Sequence, residues 1–295
     1  DNFEFVNGDI VDEDLVRKLV GKVDTVVHFA AESHVDRSIM GPDVFLKTNI
    51  WGTFALLEAV RDNLDVHFHH VSTDEVYGEL ERDSEEKFSE ETPYDPHSPY
   101  SASKAASDHL VRAYGDTYDI KMTLTNCSNN YGPYQHVEKL IPLAITNVLE
   151  GKKIPVYGDG GQIRDWLYVE DHCRGIERVV KKGKAGETYM IGGMKREVTN
   201  LQVVKMILEI MDKDEEKFIE FVKDRPGHDQ KYAVDWSKIN EELGWEPEKS
   251  LREGLEETVE WYKQNQDWWQ KVKGVEFKKY YQKQYGKNSQ ESSVL

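Results

Sequence analysis

The sequence predicts an α/β fold in which a doubly wound parallel sheet is joined by a smaller C-terminal lobe. Short apolar runs at 24–30, 66–72 and 120–126 alternate with longer segments of helical period. These runs are apolar along their length, as in strands that helices cover on both faces. We therefore expect ligands to bind at the carboxyl edge of this sheet.

The bulk composition excludes several classes of protein. The 295 residues carry a net charge of −17, whereas a nucleic-acid surface is basic. Two cysteines, Cys127 and Cys173, form neither a disulfide framework nor a metal spacing, which is typical of a reducing cytoplasm. No apolar run approaches the ~18 residues of a membrane helix, and the first residues do not resemble a signal peptide. We expect a cytoplasmic protein without nucleic-acid or membrane partners.

The elements follow in order. Residues 3–6 predict a strand, and Pro99 marks a helix start, because proline fits the first helical turn. The tail from 273 mixes lysine, tyrosine and glutamine, and we expect it to dock partly and to fray at its end. The other predicted elements are helices at 43–62, 99–119, 137–150, 200–211, 235–243 and 250–272, with strands at 24–30, 66–72, 120–126, 154–160 and 187–191.

Two runs in the middle of the chain carry a chemical signal. Residues 71–78 read Val-Ser-Thr-Asp-Glu-Val-Tyr-Gly after an apolar strand, and 100–104 read Tyr-Ser-Ala-Ser-Lys in a helix. The helix places Tyr100 and Lys104 on one face. A phenol has a pKa near 10, so a nearby cation is needed for it to act as a base at neutral pH. Together with the hydroxyl of Thr73, this pair could move a proton off an alcohol, although Tyr-x-x-x-Lys also arises often by chance.

Adjacent acids make the first run more specific. Asp74 and Glu75 repel each other when ionised and cost free energy to desolvate, so structure alone explains them poorly. A solvated, charged turn is the alternative interpretation. In contrast, the three histidines at 67, 69 and 70 have no carboxylate or cysteine at ligand spacing, so we interpret them as structural and expect no metal site.

Several motifs taken together resemble the dTDP-glucose 4,6-dehydratases, which are extended short-chain dehydrogenase/reductases. The resemblance spans Asp9 to about Trp245 and implies a Rossmann-type, NAD-binding sheet with a substrate-binding lobe. It also implies a lyase that converts dTDP-glucose to dTDP-4-keto-6-deoxyglucose and water, in a homodimer built on helices 43–62 and 99–119. The motifs are AAESHVD at 30–36, STDEVYG at 72–78, the Tyr100/Lys104 pair and SNNYGP at 128–133.

The resemblance implies a role for each catalytic candidate. Tyr100 would take the proton of the sugar C4 hydroxyl while C4 gives its hydride to a tightly held NAD. Thr73 would hydrogen-bond the C4 oxygen, and Lys104 would hold the ribose and lower the pKa of the phenol. Glu75 would remove the C5 proton and Asp74 would protonate the departing C6 hydroxyl, so the two acids must hold opposite protonation states.

The resemblance also carries over binding residues, position by position. Guanidinium groups from separate segments suit the phosphates of a nucleotide on an otherwise acidic protein. The cofactor-binding candidates are Asp9, Ile10, Ala30, Ala31 and Thr48 together with Tyr100 and Lys104. The substrate-binding candidates are Asn129, Lys139, Leu140, Pro155, Tyr157, Arg164, Asn200, Arg225 and His228.

The family opens with a strand, a glycine-rich turn and a helix that hold the dinucleotide pyrophosphate. The chain shows no match to that βαβ unit, so we expect on the order of 30 residues to be missing from its front. The alternative is a protein that has lost this site. We expect residues 1–130 to form the NAD-binding domain and 131–295 mainly the nucleotide-sugar lobe, with about 155–185 returning to the first domain.

Some positions depart from the family pattern. The family usually has arginine at the positions of Asn126 and Gln230 and proline at the position of Val137. The residues 192–197 differ from the asparagine-containing run that is usual there. We place these positions on the nucleotide side of the site. They therefore bear on which nucleotide base the substrate carries and not on the reaction. Two alternative functions follow. One is another nucleotide-sugar epimerase or dehydratase, an epimerase having no need of the Asp74–Glu75 pair. The other is a truncated, non-catalytic binding module.

Overall fold

A computed structural model of the chain describes residues 2–193 and 196–285. Ten strands and thirteen helices are numbered below in chain order. The strands are β1 Thr25–His28, β2 His67–Thr73, β3 Met122–Cys127, β4 Asn129–Tyr131, β5 Ile154–Tyr157, β6 Ile163–Arg164, β7 Trp166–Tyr168, β8 Thr188–Ile191, β9 Val198–Thr199 and β10 Ile219–Val222. The helices are α1 Glu13–Val20, α2 Val35–Met40, α3 Asp43–Phe45, α4 Gly52–Arg61, α5 Pro99–Tyr118, α6 Leu140–Leu149, α7 Val169–Lys182, α8 Asn200–Ile210, α9 Glu215–Phe218, α10 Ser237–Leu243, α11 Leu251–Gln264, α12 Gln266–Val272 and α13 Val275–Tyr285.

The central sheet is parallel, in the order β1-β2-β3-β8. In register, Phe68 of β2 pairs with Met122 of β3, and Thr73 pairs with Cys127. The carboxyl ends of β2 and β3 therefore finish side by side. This confirms the predicted α/β fold and puts the motif after β2 at the sheet edge where ligands bind.

Helices cover both faces of this sheet. Phe68 and Met122 pack with α1, α4 and α5 on one face. Three residues further along β2, Val71 points to the opposite face, where it packs in a cluster with α7, α10 and β8. Because both faces are covered, the strands are apolar along their length rather than alternating.

The second lobe has its own core. Residues of α6, α8, α11 and β5 pack around the buried side chains of Tyr262 and Trp269. Its strands β5 and β10 pair with each other, in parallel, and not with the central sheet. The short strands β6 and β9 pair antiparallel and bring the segment around Arg164 against the start of α8.

Four sequence predictions need correction. The predicted strand at 3–6 is wrong: Phe3 and Phe5 are 84% and 77% exposed, and no described strand pairs with them. The helix predicted from 137 begins at Leu140, because the backbone of Lys139 is still extended. Helix 250–272 is divided at Asn265, whose side chain donates to the carbonyl of Trp261. The helix predicted at 235–243 begins at Ser237.

The predicted helix at 43–62 forms, with an irregularity. Leu46–Trp51 is a wider π-helical turn between α3 and α4. In this turn Asn49 is buried, accepts from the backbone N–H of Glu32 at 2.8 Å and donates to Ser103 Oγ at 2.8 Å. Such turns are common at functional sites. Here the turn ties the loop after β1 to α5.

The C-terminal segment docks on the rest of the chain. Phe277 and Tyr280 of α13 are buried, and the Tyr280 hydroxyl donates to Asp36 Oδ2 at 2.9 Å. The prediction of partial docking is confirmed. The predicted fraying falls on 286–295, which lie outside the described residues. No helix in the described part of the chain has the length and apolar character needed to cross a membrane.

Buried histidines predict that the fold loses stability in mild acid. Burial lowers the pKa of His69 to about 3, and those of His34, His70 and His172 to about 4. Unfolded histidines titrate near 6.5, so between pH 6.5 and 4 the unfolded state binds more protons than the folded state. The stabilisation is complete above pH 6.5 and is lost as the pH falls. We expect each histidine to lower the free energy of unfolding by about 1.4 kcal/mol per pH unit.

Urea unfolding at about pH 7 and pH 5.5 measures this loss. Asp74 and Glu75, whose pKa values are raised, act in the opposite direction but are fewer. His69→Gln removes one buried imidazole, so its unfolding midpoint should depend less on pH. Equal midpoints at the two pH values for the parental chain would contradict the prediction.

Candidate active site

The turn after β2 is shaped by its own residues. Thr73 caps the short 3₁₀ turn Asp74–Tyr77, with the backbone N–H of Glu75 donating to Thr73 Oγ1 at 3.2 Å. Gly78 ends it at φ +82°, where a Cβ would collide with the carbonyl oxygen of Asp95. Only glycine takes this conformation without strain. The local sequence therefore holds Asp74 and Glu75 at the end of the strand.

The start of α5 is equally well defined. Ser98 caps the helix and forms a reciprocal capping box with Ser101, while Pro99 occupies the first turn. Tyr100 and Lys104 consequently lie one turn apart on a buried face, 8% and 4% exposed. The structure confirms that the two side chains share one face of the helix.

The two motifs meet at the phenol of Tyr100. The Thr73 hydroxyl acts to lower the pKa of this phenol, and Asp74 and Glu75 are close enough to raise it electrostatically. Burial, followed by Glu75, raises the pKa of Tyr100 well above its usual value. The net shift of this pKa in the chain alone is therefore upward, and the lowering by Lys104 that the resemblance implies stays a prediction. The ammonium of Lys104 is directed elsewhere, donating to the carbonyl of Val71 at 3.0 Å.

The surroundings of Asp74 favour its neutral form. It is fully buried, its Oδ1 accepts from the Thr73 hydroxyl at 3.3 Å, and its Oδ2 has no partner among the described residues. Burial raises its pKa well above the ordinary value, and the charges of Glu75 and Asp165 add to this. Full burial excludes the alternative of a solvated turn for this residue.

Glu75 stands in a different environment. Burial raises its pKa too, but three cations oppose the rise: Lys139, Arg225 and Arg164. Opposite charges favour the carboxylate form. The two neighbouring acids therefore differ in their electrostatic surroundings. Arg164 is the cation that acts on Asp74, whereas three cations act on Glu75. This difference is what separate acid and base roles require.

The cations around Glu75 come from separate segments of the second lobe. Lys139 donates to the carbonyl of Ser33 at 2.5 Å. The guanidinium of Arg164 lies 4.2 Å above the ring centre of Tyr232 and donates to the carbonyl of Asp229 at 2.9 Å. Their convergence makes a local basic pocket on a chain of net charge −17, which suits an anionic ligand.

Arg225 is anchored by a carboxylate that the sequence reasoning assigned no role. Asp36 Oδ1 accepts from Arg225 Nη1 at 2.7 Å, while Oδ2 accepts from the hydroxyls of Tyr157 and Tyr280 at 3.0 and 2.9 Å. Burial raises the pKa of Asp36, but Arg225 outweighs it and the net shift is downward. The motif 30–36 contained Asp36, yet its partners lie more than a hundred residues away. Asn49 and Tyr232 were also missed, because Ser103 and Arg164, which they contact, lie in other segments of the chain.

The other substrate-binding candidates surround this pocket. Asn129 and Asn200 abut the 162–166 segment through backbone bonds, and the Oδ1 atom of each is buried without a partner among the described residues. The ring of Tyr157 lies edge-on to that of His228 with 5.8 Å between centroids. Burial lowers the pKa of His228 to about 4. Pro155 is buried beside Tyr157 on β5, and the half-buried Leu140 opens α6.

The cofactor-binding candidates lie at the carboxyl end of β1. Ala30 and Ala31 are exposed directly after the strand, and the half-buried Thr48 lies in the π-helical turn. The exposed Asp9 accepts from the backbone N–H of Val11 at 3.2 Å, and Ile10 packs against the α1–α4 core. No group of three or more potential metal ligands occurs among the described residues.

The structure corrects the predicted location of Asn126, one of the positions that depart from the family pattern. Asn126 is buried below the end of β2, where it donates to the carbonyl of Thr73 and to Asp108 Oδ2, so it does not lie on the nucleotide side. Val137 is buried in the core of the second lobe, and Gln230 accepts from Arg82 at 3.1 Å. Within 192–197, residues 194 and 195 lie outside the described residues.

The chain is similar to known nucleotide-sugar enzymes over most of its length. A family model described as GDP-mannose 4,6 dehydratase matches residues 1–258. A dTDP-glucose 4,6-dehydratase of Xanthomonas campestris is 54% identical over 290 residues, which cover 92% of this chain and 81% of that protein. The Escherichia coli dTDP-glucose 4,6-dehydratase is 50% identical, covering 97% and 85%.

Solved structures agree with these relatives. A dTDP-glucose 4,6-dehydratase from Streptomyces venezuelae, crystallised with NAD, superimposes with a TM-score of 0.88 at 48% identity, covering 91% of this chain and 82% of that one. A UDP-glucuronic acid 4-epimerase from Bacillus cereus gives a TM-score of 0.82 at 33% identity, with coverage of 89% and 82%.

Removing Asp36 should destabilise the chain strongly. Asp36→Ala leaves Arg225 buried without its carboxylate partner, which typically costs about 3–5 kcal/mol. Tyr280→Phe is the matched control, because it deletes one hydrogen bond to the same carboxylate and should cost about 1 kcal/mol. Urea unfolding of both variants measures the two losses. Equal losses in the two variants would show that the Asp36–Arg225 ion pair has no special weight.

Proposed function

We propose a residue-by-residue mechanism for this chain, which belongs to the dTDP-glucose 4,6-dehydratase family. Its function is the NAD-dependent dehydration of dTDP-glucose to dTDP-4-keto-6-deoxyglucose. The single observation that supports the residue assignment is the pair Asp74–Glu75, whose members face one phenol but have different electrostatic surroundings.

The residues at the carboxyl end of β1 fit NAD. Phe29 is 58% exposed, and the small side chains of Ala30 and Ala31 leave an open apolar surface. Two donors of the Lys104 ammonium are accounted for by Val71 and His70, so its third N–H is free for a ribose hydroxyl. These residues would hold NAD, which would supply the hydride acceptor for C4 of the sugar and the hydride donor for C6.

Tyr100 and Thr73 handle the proton at C4. The Tyr100 phenolate would take the proton of the C4 hydroxyl, and Thr73 would donate to the C4 oxygen as the ketone forms. Because burial and Glu75 raise the pKa of Tyr100, a positive charge beside the ring is needed before the phenol ionises. The ammonium of Lys104, one turn along the helix, would contribute this positive charge.

Asp74 and Glu75 carry out the elimination. The C4 ketone acidifies the neighbouring C5–H, so an ordinary carboxylate is strong enough to remove it. Glu75, held near three cations, would take this proton. Asp74, held neutral by burial, would give its proton to the departing C6 hydroxyl, which leaves as water. The C5 proton is restored from Glu75 as the hydride returns to C6.

The basic pocket would bind the nucleotide diphosphate. Arg164 and Arg225 supply planar donors for phosphate oxygens, and Lys139 adds a third charge. Asn129, Asn200 and His228 would complete the polar contacts, with Leu140, Pro155 and Tyr157 beside the base. The unpaired Oδ1 atoms of the two asparagines support this assignment, because buried polar atoms without partners await a ligand or water.

An epimerase is the rival activity within the fold. Inversion at C4 removes no water, so it requires no acid–base pair beside the phenol. The fully buried, neutral Asp74 next to Glu75 costs free energy that an epimerase would have no reason to retain. This favours the dehydratase over the epimerase for this chain.

The division of the chain into functional regions is also proposed. Residues 1–130 would serve mainly NAD and 131–295 mainly the nucleotide sugar. The return of about 155–185 to the first domain is supported only in its later part, by α7, which packs against the central sheet, whereas β5 packs in the core of the second lobe. The unpaired Cys127 and Cys173 support a cytoplasmic location.

Glu75→Gln tests the mechanism most directly. The amide cannot accept the C5 proton, so kcat for 4-keto-6-deoxyglucose formation from dTDP-glucose should fall about 10²–10⁴-fold. Exchange of C5–H with solvent deuterium, followed by proton NMR, should disappear with it. Asp74→Asn should slow water loss to a similar extent, because an amide cannot protonate the leaving hydroxyl.

Two outcomes would contradict this assignment. Full-rate dehydration by Glu75→Gln would remove the proposed base, and turnover of UDP-glucose but not dTDP-glucose by the parental chain would overturn the assigned nucleotide. Glu81→Gln, an exposed change in the neighbouring loop, is the matched control and should keep the parental rate.

We propose that the chain forms a homodimer through α4 and α5. These helices pack together. Trp51, in the π-helical turn that leads into α4, is 53% exposed, and Tyr118 at the end of α5 is 39% exposed. Light scattering should give twice the chain mass of 34.2 kDa, and Trp51→Glu should shift the protein toward monomer by burying a charge in the contact. Phe221→Glu, an exposed residue of β10, is the control and should remain dimeric. A monomeric parental chain would contradict the proposal.

A further inference from the structure

A third residue continues the buried stripe of α5. Asp108 lies one turn beyond Lys104, as Lys104 lies one turn beyond Tyr100, so all three share a face. Asp108 is completely buried. Burying a carboxylate costs several kcal/mol unless charge or hydrogen bonds compensate it. None of the reaction steps above uses this residue, so its burial needs an explanation.

His70 of β2 stands between the two charges. Its Nε2 is 3.4 Å from Lys104 Nζ and 3.2 Å from Asp108 Oδ1. Its Nδ1 has no partner among the described residues. Burial lowers the pKa of His70 to about 4, so the ring is neutral at neutral pH. Nε2 is also 3.3 Å from Ser107 Oγ. In the neutral ring this nitrogen can accept from the Lys104 ammonium or donate to Asp108, but not both, so the imidazole stands between the two charges as a polar spacer that adds no charge of its own.

Asp108 is held in the ionised form. Its Oδ2 accepts hydrogen bonds from Ser72 Oγ at 2.8 Å, the Tyr94 hydroxyl at 2.9 Å and Asn126 Nδ2 at 3.2 Å. Burial raises the pKa of Asp108, but its contacts with His70 and the charge of Lys104 outweigh burial, and the net shift is downward.

Lys104 needs this negative charge. Burial lowers the pKa of its ammonium, and Asp108 is the larger of the two groups that oppose the decrease. The remaining titratable neighbours compensate little: burial keeps His28 neutral and raises the pKa of Cys127 to about 12. The other groups facing the cluster are Tyr77 and Tyr94, which interact with Asp108, and Arg112, which donates to the Tyr94 hydroxyl at 3.0 Å.

We propose that Asp108 is the buried counter-ion of Lys104, coupled to it through His70, and that Asp108 and His70 are positioning residues for the Tyr100–Lys104 pair. They touch neither the sugar nor the reacting atoms. Their effect is to keep the ammonium charged and held against β2, where it donates to the carbonyl of Val71. The proposal rests on the dehydratase function assigned above, in which Lys104 must be cationic to favour the Tyr100 phenolate.

Asp108→Asn tests the role of the charge, because it keeps the size of the side chain. The pH dependence of kcat for dTDP-glucose is measured on the NAD-bound enzyme from about pH 6.5 to 9.5. With Asp108 neutral, Lys104 loses its proton at lower pH. A shift of the alkaline limb by one unit lowers kcat tenfold on that limb, while the rate near pH 6.5 stays close to parental.

Tyr94→Phe is the matched control. It removes one hydrogen bond from the same carboxylate oxygen but leaves the charge in place, so its alkaline limb should coincide with the parental one. An equal shift in Tyr94→Phe and Asp108→Asn would overturn the proposal. So would an Asp108→Asn enzyme with a uniform rate loss and an unmoved limb, since packing alone would explain that result.

Two further measurements do not depend on turnover. Bound NAD per chain after gel filtration should fall at high pH earlier in Asp108→Asn than in the parental protein. In the ¹⁵N-lysine spectrum of the parental holoprotein, assigned with Lys104→Arg, Lys104 should remain an ammonium through about pH 8. A neutral Lys104 at that pH overturns the proposal even if Asp108→Asn does not fold. Failure of the parental chain to dehydrate dTDP-glucose would contradict the assigned function and leave these two readouts intact.

Discussion

The site depends on the desolvation of two adjacent carboxyl groups at the end of a parallel strand. Side by side and out of water, Asp74 and Glu75 cannot both be ionised without a large free-energy cost. The fold resolves this by unequal surroundings. Asp74 sits in the sheet edge with an unpartnered oxygen, whereas Glu75 faces the cations of the second lobe. The pKa values of both acids are raised, but only the rise of Glu75 is opposed by three cations, so the two acids differ before any sugar binds.

The same constraint explains the arrangement of charge around the site. In this acidic chain of net charge −17, cationic side chains cluster where an anionic substrate must bind. Buried carboxylates lie beside two of these cations. Asp36 anchors Arg225, and Asp108 compensates Lys104 through His70. Such pairs contribute little net stability compared with apolar packing. Their value lies in fixing the position and the charge of groups that act on the substrate.

Sequence patterns predicted the elements well where local chemistry specifies them. Pro99 and Ser98 define the start of α5, and the apolar runs of β2 and β3 formed buried parallel strands. Predictions failed where the outcome depends on a distant partner. Residues 3–6 look like a strand but have no described neighbour to pair with. The net upward shift in the pKa of Tyr100 could not be read from the sequence either, because its largest cause is burial, which periodicity does not measure.

By itself the sequence determined the fold class, the Thr73–Asp74–Glu75 turn and the Tyr100–Lys104 stripe, because each depends on spacing along one element or on motifs with a recognisable order. Its resemblance to a known family supplied the binding residues as predictions. Only the tertiary structure decided how these groups are charged. The separation of Asp74 from Glu75, the anchoring of Arg225 by Asp36 and the coupling of Lys104 to Asp108 all arise between segments distant in the chain. Desolvation and Coulomb interactions depend on three-dimensional distance and burial, which the sequence pattern does not encode.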